Sequence, residues 1–143
     1  MTYILRKAEK KESTLIFEGY RATVGPYVER AWGWDDGLQV AGFWKYHSIS
    51  EFQVIEVEKK FAGGVHVKEE ENKTYIKMIF LLPRYQNKGM GTSLIKDLQK
   101  VCCTKSKSLN LKVIKGNPAI HCYQRLGFVI VDEDESFIMM QWA

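Results

Sequence analysis

Three runs rich in β-branched and aromatic residues follow one another with only short polar breaks: Phe52–Val57 (FQVIEV), Phe61–Lys68 (FAGGVHVK) and Tyr75–Leu82 (YIKMIFLL). Runs of this length and composition read as strands. Breaks as short as Glu58–Lys60 and Glu69–Asn72 leave room only for turns, so the three runs predict an antiparallel meander. The third run is apolar enough to lie inside a sheet rather than at its edge. Gly63 and Gly64 in the second run predict a bulge or a close backbone approach.

The flanking sequence alternates helical and strand patterns. Tyr3–Arg6 reads as an opening strand and Lys7–Tyr20 as a helix carrying Ala8, Leu15 and Ile16. Gly25-Pro26 marks a break or a helix start, and Tyr27–Trp32 a second helical piece ending near Gly33. Asp35 or Asp36 caps a third helix that carries Leu38, Ala41 and Trp44. After the meander, a polar loop with two glycines enters a helix over Thr92–Cys103, where Leu94, Ile95, Leu98, Val101 and Cys102 form one apolar stripe. Leu109–Ile114 is a strand, and Pro118–Leu126 a short helix stopped by Gly127. Phe128–Asp132 and Phe137–Trp142 close the pattern as a strand pair. The order predicts a mixed α/β fold, one domain over residues 1–143, with a mostly antiparallel central sheet flanked by helices.

Composition excludes several alternatives. With 45% apolar and 27% charged residues over 143 positions, the chain is neither disordered nor membrane-spanning by composition. No stretch approaches the roughly 18 to 20 uninterrupted apolar residues of a membrane helix. The opening residues Met1–Lys7 lack the apolar core of a signal peptide, so a cytoplasmic location is expected. The net charge of +4, from 21 basic and 17 acidic residues, suits an anionic ligand but is too small to argue for nucleic acid. Cys102, Cys103 and Cys122 match no zinc spacing, so reduced thiols and no metal are expected.

The strongest local signal is Gln86-Asn-Lys-Gly-Met-Gly91, between a strand and a helix. Glycines at 89 and 91 let the backbone turn with no side chain in the way. The first amides of a helix lack internal partners and carry the positive end of its dipole, so a pyrophosphate fits there, with Lys88 adding a full charge. The spacing is neither that of a Walker loop nor that of a dinucleotide-binding turn. By itself the loop is equally compatible with a plain tight connection. A second block follows the next strand: Asn117-Pro-Ala-Ile-His-Cys-Tyr-Gln-Arg-Leu-Gly-Phe128.

Together the two blocks resemble the GNAT superfamily of N-acetyltransferases. Gln86-x-x-Gly89-x-Gly91 is similar to its acyl-CoA loop, and Asn117-x-Ala119 with Tyr123-x-x-x-Gly127-Phe128 to its second block. The segment Ala31–Asp36 with Gln39 is similar to the N-terminal helices of small bacterial members. The likeness runs from Tyr3 to the C-terminus in the same element order. It implies acetyl-CoA as cosubstrate, entering where the fourth and fifth strands splay. The backbone at Leu81 and Leu82 would pair with the pantetheine arm, and Gln86, Asn87, Lys88, Gly89, Met90 and Gly91 would hold the pyrophosphate, with the Thr92 hydroxyl nearby. Asn117 would bond the pantetheine from the other side, or cap the helix that follows it. Tyr123 would bind there too and act as general acid for the departing thiolate.

Many members place a glutamate on the central strand as base, but Tyr75–Leu82 has no acidic residue. His66, Glu56 or a water chain stand as alternatives, ahead of His47 and His121. The implied acceptor is an amine on a small molecule or a peptide, near a wall formed by the first helices with Trp32, Trp34, Asp35, Asp36, Phe43 and Trp44. Taken one residue at a time, the aspartates are better read as capping a helix and the aromatics as filling the core under it. Glu69–Glu71 reads as a solvated turn, and Lys96, Lys100, Lys105 and Lys107 as a wet helix face. An acyl-CoA-binding sensor or partner module without turnover is the competing reading. No nucleic acid or membrane partner is expected, and homodimerisation is left open.

Overall fold

A computed structural model of the chain describes residues 2–143. Seven strands form a sheet in the order β1-β2-β3-β4-β5-β7-β6. They are β1 (Ile4–Lys7), β2 (Phe52–Val57), β3 (Lys60–Glu69), β4 (Lys73–Leu81), β5 (Ser108–Ile114), β6 (Val129–Glu133) and β7 (Phe137–Trp142). Among the described residues the α-helices are α1 (Ser13–Thr23), α2 (Gly25–Trp32), α3 (Asp36–Tyr46), α4 (Met90–Thr104) and α5 (Ala119–Arg125). The expected order of elements is therefore found. Backbone contacts group the chain into two compact units. One comprises Met1–His66 and Met78–Met90, the other Val67–Lys77 and Gly91–Ala143.

In the first unit β1, β2 and β3 pair antiparallel. The β2–β3 turn is tight because Glu58 and Lys59 both take positive φ, 52° and 66°, the geometry that matches strand twist in a two-residue hairpin. The bulge expected near the glycines lies at Ala62: Ile55 pairs with Gly63 while Glu56 pairs with Phe61. A Cβ on Gly63 would land on the Phe80 carbonyl oxygen of β4, so only glycine allows this approach of the two backbones. The core gathers Ile16 and Phe17 of α1, Phe43 of α3, Phe52 and Val54 of β2 and Phe80 of β4. It is mostly aromatic. The Phe43 ring lies 5.5 Å from Phe17, 4.8 Å from Tyr20 and 4.8 Å from Trp44.

The first helix differs from its sequence reading. The stretch expected as one helix from Lys7 begins as the end of β1, passes through a 3-10 turn at Lys10–Glu12 and becomes α-helical only at Ser13. The cause is tertiary. Glu12 accepts the Glu9 backbone N–H at 2.9 Å and both Nη1 and Nη2 of Arg6 at 2.8 and 2.6 Å, while Arg6 Nε donates to Glu56 at 2.5 Å. The Arg6 guanidinium holds the Glu12 carboxyl below its ordinary range.

In the second unit β4 and β5 pair in parallel over Lys73–Tyr75 and Ser108–Asn110, β5 and β7 pair antiparallel along their length, and β6 closes the edge against β7. The α4 stripe is buried at Leu94, Ile95 and Cys102. Gln99 Nε2 donates to the Leu126 carbonyl at 2.9 Å, tying α4 to the end of α5. Glu69 is exposed, as expected, but it ends β3 and is paired. Its carboxylate receives Lys107 Nζ at 2.8 Å and the Thr74 hydroxyl at 3.1 Å, and Lys107 lowers its pKa. Lys107 thereby leaves the wet face predicted for it, its side chain 17% exposed. All three cysteines are free thiols. Among the described residues no helix is long and apolar enough to cross a membrane, and no cluster of three potential metal ligands occurs.

Candidate active site

The end of β4 passes into the glycine loop through a short 3-10 turn, Pro83–Tyr85. Pro83 has no N–H to lose and a fixed φ, which suits the first position of such a turn. Buried Tyr85 anchors it. The Leu82 N–H donates to the Ala62 carbonyl at 2.8 Å, so Leu82 continues the β3–β4 ladder one residue past the strand. The Leu81 carbonyl, expected to meet a pantetheine arm, accepts instead from Gln86 Nε2 at 2.8 Å. Gln86 therefore does more than lend its backbone: its side chain fastens the loop to the strand end.

Gln86, Asn87, Lys88 and Gly89 are all exposed. Asn87 and Gly89 take φ of 60° and 83°, left-handed values that alternate with ordinary ones along the turn. Successive amides in such a turn point toward one side and form an anion-binding concavity. Nothing lies within 4 Å of the place a Gly89 side chain would occupy, so its glycine answers to backbone geometry, not to crowding. Met90 and Gly91 sit in the first turn of α4 rather than in the loop proper, with Thr92 next. Met90 is buried and pins that end.

In the second unit Asn117 precedes α5 and its Oδ1 accepts the Ala119 N–H at 2.9 Å, the capping role that its sequence position allowed. Tyr123 is half-buried on α5, its ring 5.6 Å from that of Phe128. Desolvation, and secondarily the neighbouring Cys122 thiol, push the phenol up to about 12. It stays protonated throughout the neutral range and is available as a donor. Gly127, at φ 96°, ends this helical turn.

Asp35 caps α3 by accepting the Leu38 N–H at 3.0 Å. Asp36 accepts Trp34 Nε1 at 2.6 Å and lies 3.4 Å from Arg21 Nη2. Both aspartates are thus engaged locally. Phe43 is core and Trp44 packs against it, whereas Trp32 remains 53% exposed. Glu56 is taken by Arg6. His121 is exposed. His47 and His66, separated by 19 residues in sequence, lie Nδ1 to Nδ1 at 2.7 Å in the buried interior of the first unit. No sequence spacing announces that pair.

The family model for the acetyltransferase (GNAT) domain matches residues 40–139. The chain belongs to this family. The matched GNAT segment contains both blocks, from β2 to β7. A human curated protein, cysteine-rich protein 2-binding protein, is 33% identical over 95 residues, which is 60% of this chain and 12% of that protein. The match therefore spans a small part of that relative's length. Among solved structures, the PaiA N-acetyltransferase of Thermoplasma acidophilum, crystallised with coenzyme A, superposes with a TM-score of 0.76 at 18% identity, over 99% of this chain and 98% of that one. Naa50 of Arabidopsis thaliana, bound to the bisubstrate analogue CoA-Ac-MVNAL, gives 0.69 at 16% identity over 100% and 99%. The GNAT acetyltransferase fold is thus shared along the whole length.

Proposed function

We propose that this GNAT protein is a cytoplasmic enzyme that moves an acetyl group from acetyl-CoA to a primary amine by direct attack. The observation that carries the reading is the exposed left-handed turn Asn87–Gly89 at the start of α4, inside the matched segment. The turn supplies backbone donors and a helix dipole for a pyrophosphate, and Lys88 adds charge. Leu81 and Leu82 would receive the pantetheine arm, with Gln86 Nε2 holding one side of the Leu81 carbonyl oxygen. Thr92 and Asn117 would add side-chain contacts. The coenzyme A bound to the Thermoplasma relative supports this type of cosubstrate, and the peptide in the Arabidopsis complex supports a peptide amine as acceptor.

In the reaction the amine nitrogen attacks the thioester carbon, a C–N bond forms, the C–S bond breaks and the thiolate takes a proton. Tyr123 is assigned that proton. A phenol as weak as this one first donates a hydrogen bond to the departing sulfur and releases its proton as the C–S bond breaks. Thiol release from acetyl-CoA, followed against a panel of small-molecule and peptide amines, tests the reading. Amine-dependent release that acetylates the amine supports it. Saturable acetyl-CoA binding with no release for any amine would favour the sensor reading.

A further inference from the structure

The acetyl group would be presented at the end of β4, so the side chains beside that end decide which amine approaches it. We propose that Tyr20, Trp44, Met78 and Leu82 form an acceptor wall that selects a primary amine borne next to a large apolar group, and not a polyamine. The proposal rests on the acetyl-transfer reading above and names the substrate class of that same site.

Glycines bring the wall to the strand end. Phe80 of β4 meets α1 at Gly19, where a Cβ would stand 2.3 Å from Phe80 Cε2. On the β3 side a Cβ on Gly64 would stand 3.0 Å from Phe80 Cε1. The ring thus lies between two positions at which a side chain would crowd it. Glycine weakens the interior of a helix, so Gly19 answers to this close approach of α1 to β4. Tyr20 is the next residue of α1. Met78, Phe80 and Leu82 alternate along the chain and share one face of the sheet. Met78 and Leu82, together with Tyr20, Trp34 and Trp44, pack half-buried against the core that holds Phe80. The aromatic wall therefore reaches the residue next to the Leu81 carbonyl, where the pantetheine arm would pair.

Two polar atoms set this wall apart from a closed core. Among the described residues neither the Tyr20 hydroxyl nor Trp44 Nε1 has a hydrogen-bond partner, and neither atom is buried. A tyrosine or tryptophan that serves only as core keeps its polar atom paired. The rings themselves are held firmly: Tyr20 and Trp44 each lie 4.8 Å from Phe43, and Trp44 lies 6.1 Å from Phe52. Desolvation raises the Tyr20 phenol above its ordinary value, so it is neutral around pH 7. The surface offered is two fixed rings with polar tips.

Charge decides the class of acceptor. No residue of the cluster carries a carboxylate. Asp35 is spent on the α3 cap. Asp36 accepts Trp34 Nε1 at 2.6 Å and stands 3.4 Å from Arg21 Nη2. Arg21 also lies over the Trp34 ring, its guanidinium carbon 5.8 Å from the centroid, so a fixed positive charge already takes the cation–π position there. A polyamine would meet that charge with no free carboxylate to offset it. An apolar group gains by leaving water against the rings. The α-amine of a peptide with an apolar first residue and a free arylalkylamine share this chemistry.

The test measures kcat/KM for thiol release from acetyl-CoA with four acceptors: two tetrapeptides that differ only in a leucine or glycine first residue, phenethylamine, and spermidine. The leucine peptide or phenethylamine should exceed both the glycine peptide and spermidine by about tenfold or more. Which of the two leads tells a peptide acceptor from a small-molecule one. Trp44→Ala and Tyr20→Ala should each bring the better apolar acceptor to within about threefold of the glycine peptide, with acetyl-CoA affinity within about twofold of wild type. This ratio compares two substrates on one preparation, so a partly folded variant still yields it, and the wild-type panel decides alone if neither variant folds. Spermidine or the glycine peptide acetylated as well as the apolar acceptors, or a ratio unchanged in both variants, would overturn the wall while leaving acetyl transfer intact. A wild type that binds acetyl-CoA and acetylates no amine would overturn both.

Discussion

The loop Gln86–Gly91 and the segment Asn117–Gly127 meet opposite demands. The first offers backbone: Gln86 to Gly89 are exposed, φ turns left-handed at Asn87 and Gly89, and the space that a Cβ at Gly89 would enter is empty. The second offers side chains: Asn117 spends its carbonyl oxygen on the Ala119 amide, and Tyr123 is desolvated until its phenol rises to about 12. A backbone site tolerates most side-chain changes and fails when φ is forced. A side-chain site keeps its shape after substitution and fails when one atom is removed. In this account the first segment binds and the second performs the chemistry.

That contrast can be broken at several points. Tyr123→Phe removes one oxygen and should lower kcat about 100-fold or more with acetyl-CoA affinity within about twofold, by steady-state kinetics beside calorimetry. A loss of affinity comparable to the loss of kcat would place Tyr123 on the binding side instead. The raised phenol also has a pH signature. Between the unfolded value near 10 and the folded value of about 12 the native state holds the proton that the unfolded chain has lost. Stability should therefore fall as pH rises through that window, and the Phe variant should not show this slope in denaturant titrations.

Gly89→Val comes next. Left-handed φ costs a branched residue about 1–2 kcal/mol, so acetyl-CoA should bind about 5- to 30-fold more weakly. Because the loop is exposed and can relax, the melting temperature should barely move. A large stability loss with full affinity would mean that the turn serves the fold alone. Asn117→Ala should cost about 1 kcal/mol of stability through the lost cap, read by chemical denaturation. If affinity falls tenfold as well, Asn117 also bonds the pantetheine. Lys88→Ala should be the mildest, weakening binding about threefold at low salt and less at high salt, since its charge is exposed and screened.

Much of this was legible in the sequence because its causes are local. Phe52–Val57 is a strand from composition, Asp35 caps α3 from position, and the loop glycines mark a turn that only backbone chemistry requires. What was not legible depends on partners far along the chain. Residues from Lys7 look helical, yet Arg6, Glu12 and Glu56 draw Glu12 into a network that delays the helix to Ser13. Glu69 looks like one acid in a solvated run until Lys107, 38 residues on, claims it. Gln86 was expected to contribute backbone, but its side chain reaches Leu81. The imidazole pair joins the end of α3 to the middle of β3, and neither histidine's neighbours in sequence point to the other.

Calorimetric titration with acetyl-CoA, beside adenosine diphosphate as control, tests the central claim most directly. The account predicts saturable binding that needs the pantetheine arm and is markedly tighter than binding of the diphosphate alone. No heat at millimolar acetyl-CoA would contradict it, and the turn at Asn87–Gly89 would then be a connection between a strand and a helix and nothing more.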